Sequence, residues 1–333
     1  MWILICTVVP KSIGTTGQGM SVSPLLSIVV GTFNRVDQIK RCVDSILRET
    51  RLPYIIYVTD AGSTDGTIDY LSRVASDRIR LVLEGRRIGQ AKAYNAVFDV
   101  IDTPYVCWLS DDNEVINRGL DRALEIAKAE PRIGLVALKT RDVLGPFVDA
   151  PYIGGISWVG ILNANQGLLP TSVLREVGGF SPAFRDYGID PDLTAKVLLA
   201  GYDVVYTRAV ALLHHRNWPE DKTSPKYKAL MEKHDKFRNL YIKKYAHLGR
   251  PSPAWLFRRV GWNYLSRAAG ARLAINGAKP VLGWLPRDWH NMIRGRFVNP
   301  IAELLGRDRP YYLRQRIPKR LRLAGLPSDP APE

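Results

Sequence analysis

Short apolar runs alternate with amphipathic helical segments along the first two thirds of this chain, and most of the apolar runs stop abruptly at polar residues. Leu26–Val30 reads as a buried strand, and Tyr54–Val58, Ile79–Leu83 and the stretches 104–109 and 133–138 read as further strands. Between them, 35–48, 67–74, 89–99 and 117–129 carry helical periodicity. In 35–48 the residues Val36, Ile39, Val43, Ile46 and Leu47 share one face. Strands alternating with helices at this spacing predict an α/β fold with a mostly parallel central sheet and flanking helices. Beyond 138 the pattern loosens. Residues 140–166 are rich in Gly and aromatics and read as irregular, followed by helices at 171–177 and 191–200 and strands near 202–206 and 209–213.

In open α/β sheets, ligands bind in the crevice at the carboxyl ends of the strands. Here those ends are Thr32-Phe33-Asn34-Arg35, Asp60-Ala61-Gly62-Ser63 and Ser110-Asp111-Asp112-Asn113. Two adjacent acids directly after the apolar run Tyr105–Leu109 make a natural site for Mg²⁺ or Mn²⁺, which take one or two carboxylates plus phosphate oxygens. The same residues also suit a helix cap or a solvated loop.

Several ordered stretches resemble family 2 glycosyltransferases: SIVVGTFNR (27–35), VTDAGSTDGT (58–67), GQAKAYNAVFDV (89–100), WLSDDNEV (108–115), GGFSPAFRDYGIDPDLTAKVLLAGYDVVY (178–206) and HH at 214–215. The resemblance covers residues 26–216 and implies the GT-A fold and inverting transfer from a nucleotide diphosphosugar. It places Thr32, Asn34 and Arg35 at the nucleotide site and Asp60 on the base. Asp111 falls at the ribose or the metal, and Asp112 is the leading metal ligand, with His214 placed slightly ahead of His215 as a further one. Asp190 falls where such enzymes keep the base that deprotonates the acceptor, and Asp192 is the fallback. As the residue before Pro191, Asp190 also reads as an N-cap. Three positions depart from the family pattern: Ala61 and Ser110 replace acids, and Ile189 replaces a Glu.

Further residues are weighed against blander readings. Lys92, Arg86 and Arg87 suit a diphosphate but also read as solvated charge. Asp65 reads as a turn and helix cap. Gly178-Gly179 allow a tight turn before an acceptor loop running from Phe180 to Tyr187, with Trp158 and Asn163–Gln166 facing it.

Charge divides the chain. Residues 1–220 hold 23 Lys/Arg against 24 Asp/Glu, whereas 221–333 hold 24 against 8. Three domains are expected: an N-terminal segment 1–24 (disordered, or a misassigned start), a catalytic domain 25–220 and a basic, helical extension 221–333. In the extension Trp255, Trp262, Trp284 and Trp289 lie among arginines such as Arg258, Arg259, Arg267 and Arg272. Such interleaving over 225–325 suits an anionic membrane surface, with packing on the catalytic domain, an oligomer contact and nucleic acid as alternatives. No apolar run reaches the roughly 18 residues of a spanning helix. Three cysteines (Cys6, Cys42, Cys107) show no disulfide framework or metal spacing. A cytoplasmic, peripheral enzyme on the inner face of the membrane is therefore expected, with a glycan or lipid-linked acceptor. Competing readings are a nucleotidyltransferase on a similar fold, which needs a Gly-rich basic loop that Gly31–Asn34 lacks, and a non-catalytic glycan- or nucleic-acid-binding module.

Overall fold

The computed structural model describes residues 23–144, 151–152, 157, 159–216, 219, 221, 223–249, 310–317 and 326–329. The four tryptophans of the basic extension, the arginines among them, and Trp158 lie outside the described residues, as does nearly all of the N-terminal segment.

The chain runs β1 (Leu26–Thr32), α1 (Val36–Glu49), β2 (Tyr54–Asp60), α2 (Thr67–Val74), β3 (Ile79–Leu83), α3 (Gln90–Phe98) and β4 (Tyr105–Ser110). It continues β5 (Asn113–Val115), α4 (Gly119–Ala129), β6 (Ile133–Ala137), β7 (Thr140–Asp142), β8 (Pro151–Tyr152), β9 (Gly167–Pro170) and α5 (Thr171–Glu176). Then follow α6 (Ile189–Leu199), β10 (Asp203–Thr207), β11 (Leu212–His214), α7 (Pro225–Tyr245) and β12 (Tyr311–Gln315). The large sheet has the order β12-β10-β6-β9-β4-β1-β2-β3. Strands β3, β2, β1 and β4 are mutually parallel, as are β6 and β10, while β9 and β12 run antiparallel to their neighbours.

The strands are apolar on both faces because both faces are covered. Ile28, Val30, Val58, Cys107 and Leu109 pack with α1 and α4 on one side. Val29, Tyr57, Val106 and Trp108 pack with α3, α6 and the end of α7 on the other. On α1, Leu47 departs from the expected face and is exposed. The stretch 140–166 contributes β7 and β8 to a second sheet of order β5-β11-β7-β8. The strand expected near 209–213 sits there as β11, because Leu212–His214 pairs with β5 and β7 rather than with β10.

The extension carries the expected helix and, in addition, a strand. Helix α7 is present, opened by Ser224, whose hydroxyl accepts from the Tyr227 amide at 3.2 Å, with Pro225 at the first helical position. Tyr311–Gln315, however, is a strand that covers the otherwise open edge of β10. It is held there by Leu313, buried in the core, and by Arg314, which ion-pairs with Glu130 and reaches Asp203 at 3.4 Å. Arg316 adds a 2.9 Å contact to Asp203. These parts of the extension belong to the same body as the sheet. Among the described residues no helix is long and apolar enough to cross a membrane.

Candidate functional site

The site forms where β1 and β4 end side by side, with Gly31 paired to Ser110. Tyr94 of α3 sits beneath this edge. Its hydroxyl accepts from the Gly31 amide and donates to the Leu109 carbonyl, both at 2.7 Å. Gly31 permits this approach, since a Cβ there would lie 2.7 Å from the Tyr94 ring. With the strand ends fixed, Thr32 Oγ1 donates to Asp111 Oδ2 at 2.9 Å, and Arg35 Nη1 donates to Oδ1 at 2.9 Å. Burial pushes the Asp111 carboxyl up to about 6, with Asp112 adding to the rise and Arg35 and the Thr32 hydrogen bond opposing it.

Asp112 points toward the second sheet. Its Oδ1 lies 3.2 Å from His214 Nε2, yet it is a buried oxygen without an aligned hydrogen bond. The other imidazole nitrogen, Nδ1, is 2.9 Å from Asp142 Oδ1. The parallel register of β11 and β7 sets His214 opposite Asp142. Burial would raise the Asp112 carboxyl, but neighbouring His214 and the charges of Arg35 and Arg216 outweigh it and hold it below its usual range. Conversely, burial lowers the His214 imidazole, while Asp112 and Asp142 overcome that and raise it. His215 faces elsewhere, with Nε2 2.9 Å from Glu114 Oε2.

These donors fit a hard divalent cation. An unsatisfied carboxylate oxygen and an imidazole nitrogen face each other, and the far side of the ring is anchored by a second acid, the usual support for a ligating histidine. Among the described residues no three His, Cys, Asp or Glu side chains already converge on one point. Oxygens of a bound diphosphate would have to complete the shell.

Asp190 lies in the first turn of α6, partly exposed, and makes no hydrogen bond to another side chain among the described residues. Burial pushes its carboxyl up to about 7, against a smaller opposing effect of its own backbone amide and of Arg216. The charge of Arg216 thus acts on both Asp112 and Asp190. Asp192, two residues on, is fully buried in a different setting: Ser181, Tyr245 and Lys244 all engage its carboxylate.

Beside the end of β1, Asn34 adopts a left-handed backbone (φ 50°) and locks two loops together. Its amide donates to Ser63 Oγ at 2.8 Å, and its side-chain oxygen accepts from the Thr64 amide at 2.7 Å. Asp60 is fully buried, and both its oxygens are taken by its own turn, from the amides of Gly62 and Ser63 and the Ser63 hydroxyl. Asp65 accepts from the amides of Val36 and Thr67, at the starts of α1 and α2. Lys92, Arg86 and Arg87 are exposed, and the Arg87 guanidinium lies 5.0 Å from the Phe33 ring centroid. Across the loop expected to face an acceptor, Tyr187 stacks on His234 and Phe237 of α7, with ring centroids 5.0 and 5.9 Å apart. Asn95 of α3 clamps the start of that loop through both backbone groups of Phe180.

Sequence reasoning overlooked Asp142, Arg216, Tyr94 and Glu84. Arg216, directly after the two histidines, lies 3.8 Å from Asp142. Glu84, whose amide donates to the Asp60 carbonyl, has its carboxyl pushed up to about 7 by burial, with Asp60 adding to the rise. The position of Arg216 beside a strand-end histidine pair was a usable signal. Nothing in the local sequence marks Asp142 or Tyr94.

Comparison with known proteins gives consistent results. Residues 27–186 match the family model described as Glycosyl transferase family 2. The N-acetylglucosaminyl-diphospho-decaprenol L-rhamnosyltransferase of Mycobacterium tuberculosis is 25% identical over 241 residues, covering 59% of this chain and 77% of that protein. An uncharacterized glycosyltransferase of Nostoc sp. is 25% identical over 114 residues, and the match spans 35% of its length. Among solved structures, a mannosyltransferase from Pyrobaculum calidifontis in complex with GDP-Man and Mn2+ superposes with a TM-score of 0.55 at 21% identity. That match covers 85% of this chain and 88% of the other. It shows a shared GT-A fold.

Proposed function

Residues 27–186 belong to glycosyl transferase family 2, and from that premise we propose that the protein is an inverting transferase with Asp190 as its base. The observation that carries this reading is the contrast between an acid held below its usual range beside His214 (Asp112) and an acid raised toward neutrality by burial (Asp190), both of which feel the charge of Arg216. Groups pushed apart in this way suit different tasks in one reaction. Asp190 takes the proton of the acceptor hydroxyl as that oxygen attacks the anomeric carbon. Asp192 has its oxygens engaged and serves as an anchor. Asp112 and His214, with Asp111 beside them, would hold Mg²⁺ or Mn²⁺, which when bound offsets the negative charge of the departing nucleoside diphosphate. Thr32, Asn34 and Arg35 shape the nucleotide side. Asp60 does so through the turn it closes, and Lys92 reaches the diphosphate from the surface of α3.

The donor is a UDP-, dTDP- or GDP-sugar. A lipid-linked acceptor is supported by the mycobacterial relative, which is named for a diphospho-decaprenol substrate. The basic residues of 225–325 would bring the enzyme to an anionic membrane at the cytoplasmic face, each adding about 1 kcal/mol near the surface.

The test is thermal shift with UDP, dTDP or GDP in the presence and absence of Mn²⁺. One diphosphate is expected to stabilise the protein in a metal-dependent manner, by roughly 3 kcal/mol at a hundred times its Kd. Asp112→Ala is expected to abolish the metal-dependent part. Equal stabilisation of Asp112→Ala and wild type by diphosphate and Mn²⁺ would remove Asp112 from the site.

A further inference from the structure

We propose that Lys244 and Tyr245, the last two residues of α7, are positioning residues that set the catalytic turn of α6. This rests on the reading of Asp190 as the base. The start of α6 has no side-chain cap: its N-cap is Gly188 in a left-handed conformation (φ 84°). The Asp190 carboxylate likewise makes no hydrogen bond to another side chain among the described residues, so its place follows from the backbone of that turn.

The turn is gripped two residues downstream. The Asp192 amide closes the first helical bond to the Gly188 carbonyl at 3.1 Å, and its carboxylate is engaged from outside the helix. Tyr245 Oη donates to Oδ1 at 2.7 Å, Lys244 Nζ lies 2.7 Å from the same oxygen, and Ser181 Oγ donates to Oδ2 at 2.5 Å. The Lys244 side chain is wholly buried and also reaches Asp329 Oδ1 at 2.7 Å. Lys196 Nζ lies 3.7 Å from Asp192 and donates to the Gly179 carbonyl. Two ammonium groups and two carboxylates therefore balance in one cluster drawn from the loop before α6, α6 itself, α7 and the segment 326–329. Farther along α7, Phe237 and His234 hold Tyr187, and Tyr241 Oη donates to Ser157 Oγ at 3.2 Å. The extension thus fixes the base from behind, and a displacement of about 1 Å in such a group is enough to cost about a hundredfold in rate.

The test uses the full chain and follows nucleoside diphosphate release from whichever of UDP-glucose, GDP-mannose or dTDP-glucose stabilises it most. Lys244→Met is expected to lower both Tm and kcat, the latter at least tenfold, with donor KM within twofold. Adding Asp329→Asn restores charge balance and is expected to recover Tm while kcat stays low. Recovery of kcat together with Tm would make Lys244 a structural ion pair and overturn the proposal. Tyr245→Phe removes a single donor and is expected to lower kcat severalfold at unchanged KM; wild-type kcat in that variant also overturns it. Asp190→Asn separates the two levels of the argument. Its inactivity upholds the base, whereas full transfer by it defeats the base reading whatever α7 does.

Discussion

Asp190→Asn separates chemistry from stability in one substitution. Folding moves this carboxyl from its usual value near 4 to about 7, because burial disfavours the charged form. Three units correspond to about 4 kcal/mol as an upper bound. The residue keeps partial contact with solvent, so screening reduces this to about 2 kcal/mol. A raised acid in the folded state means that stability falls as pH rises from about 4 through 7. Above 7 the wild type carries the full cost of the buried charge, and the neutral amide does not. At pH 8, without divalent cation, Asp190→Asn is therefore expected to melt roughly 4–8 °C above wild type. At pH 5, where Asp190 holds its proton, the two should coincide. Transfer should fall by at least a hundredfold in the same variant, and wild-type kcat/KM should rise between pH 6 and 8 as the base ionises. Differential scanning fluorimetry across pH 5–8 reads the stability effect. A Tm difference independent of pH, or a variant less stable at pH 8, would refute the electrostatic reasoning.

Other consequences are as concrete. Tyr94→Phe strips the partners from the partly buried Gly31 amide and the buried Leu109 carbonyl and is expected to cost about 2–4 kcal/mol in urea unfolding, with weakened donor binding because the strand ends relax. Arg314→Ala removes the ion pairs to Glu130 and Asp203 and should destabilise by about 1–3 kcal/mol, more than an exposed pair, because Asp203 is fully buried. For the membrane reading, replacing Arg258, Arg259, Arg267 and Arg272 by Gln in the full chain should weaken flotation with anionic vesicles; unchanged flotation would contradict it. Cutting the chain near Glu220 is not a usable form of that experiment, since it removes α7 and β12 from the packed body.

The central strands were legible because a parallel strand covered on both faces must be a nearly continuous apolar run, and β1, β2 and β4 are such runs, while the edge strand β3 is broken by exposed Arg80. Their polar ends were legible for the same reason, each marking where the sheet stops. Strand β9 escaped notice: Gly167–Pro170 is four residues long and owes its place to β4 and β6 on either side. Strand β12 was hidden in a basic stretch, where Arg314 looks like surface charge until Glu130 and Asp203 are set against it. Asp142 could not be found locally, because its bond to His214 spans 72 residues and depends on the register of β7 with β11. Asp192 looked like an alternative base because its burial is supplied by α7, which is 33 to 53 residues away in sequence.

Inverting transfer, the central claim, is tested most directly by the anomeric configuration of the first-formed product. With the donor selected by thermal shift and an N-acetylglucosaminyl-diphosphopolyprenol acceptor, NMR of the new glycoside should show the configuration opposite to that of the donor. A product with the donor's own configuration would contradict the account.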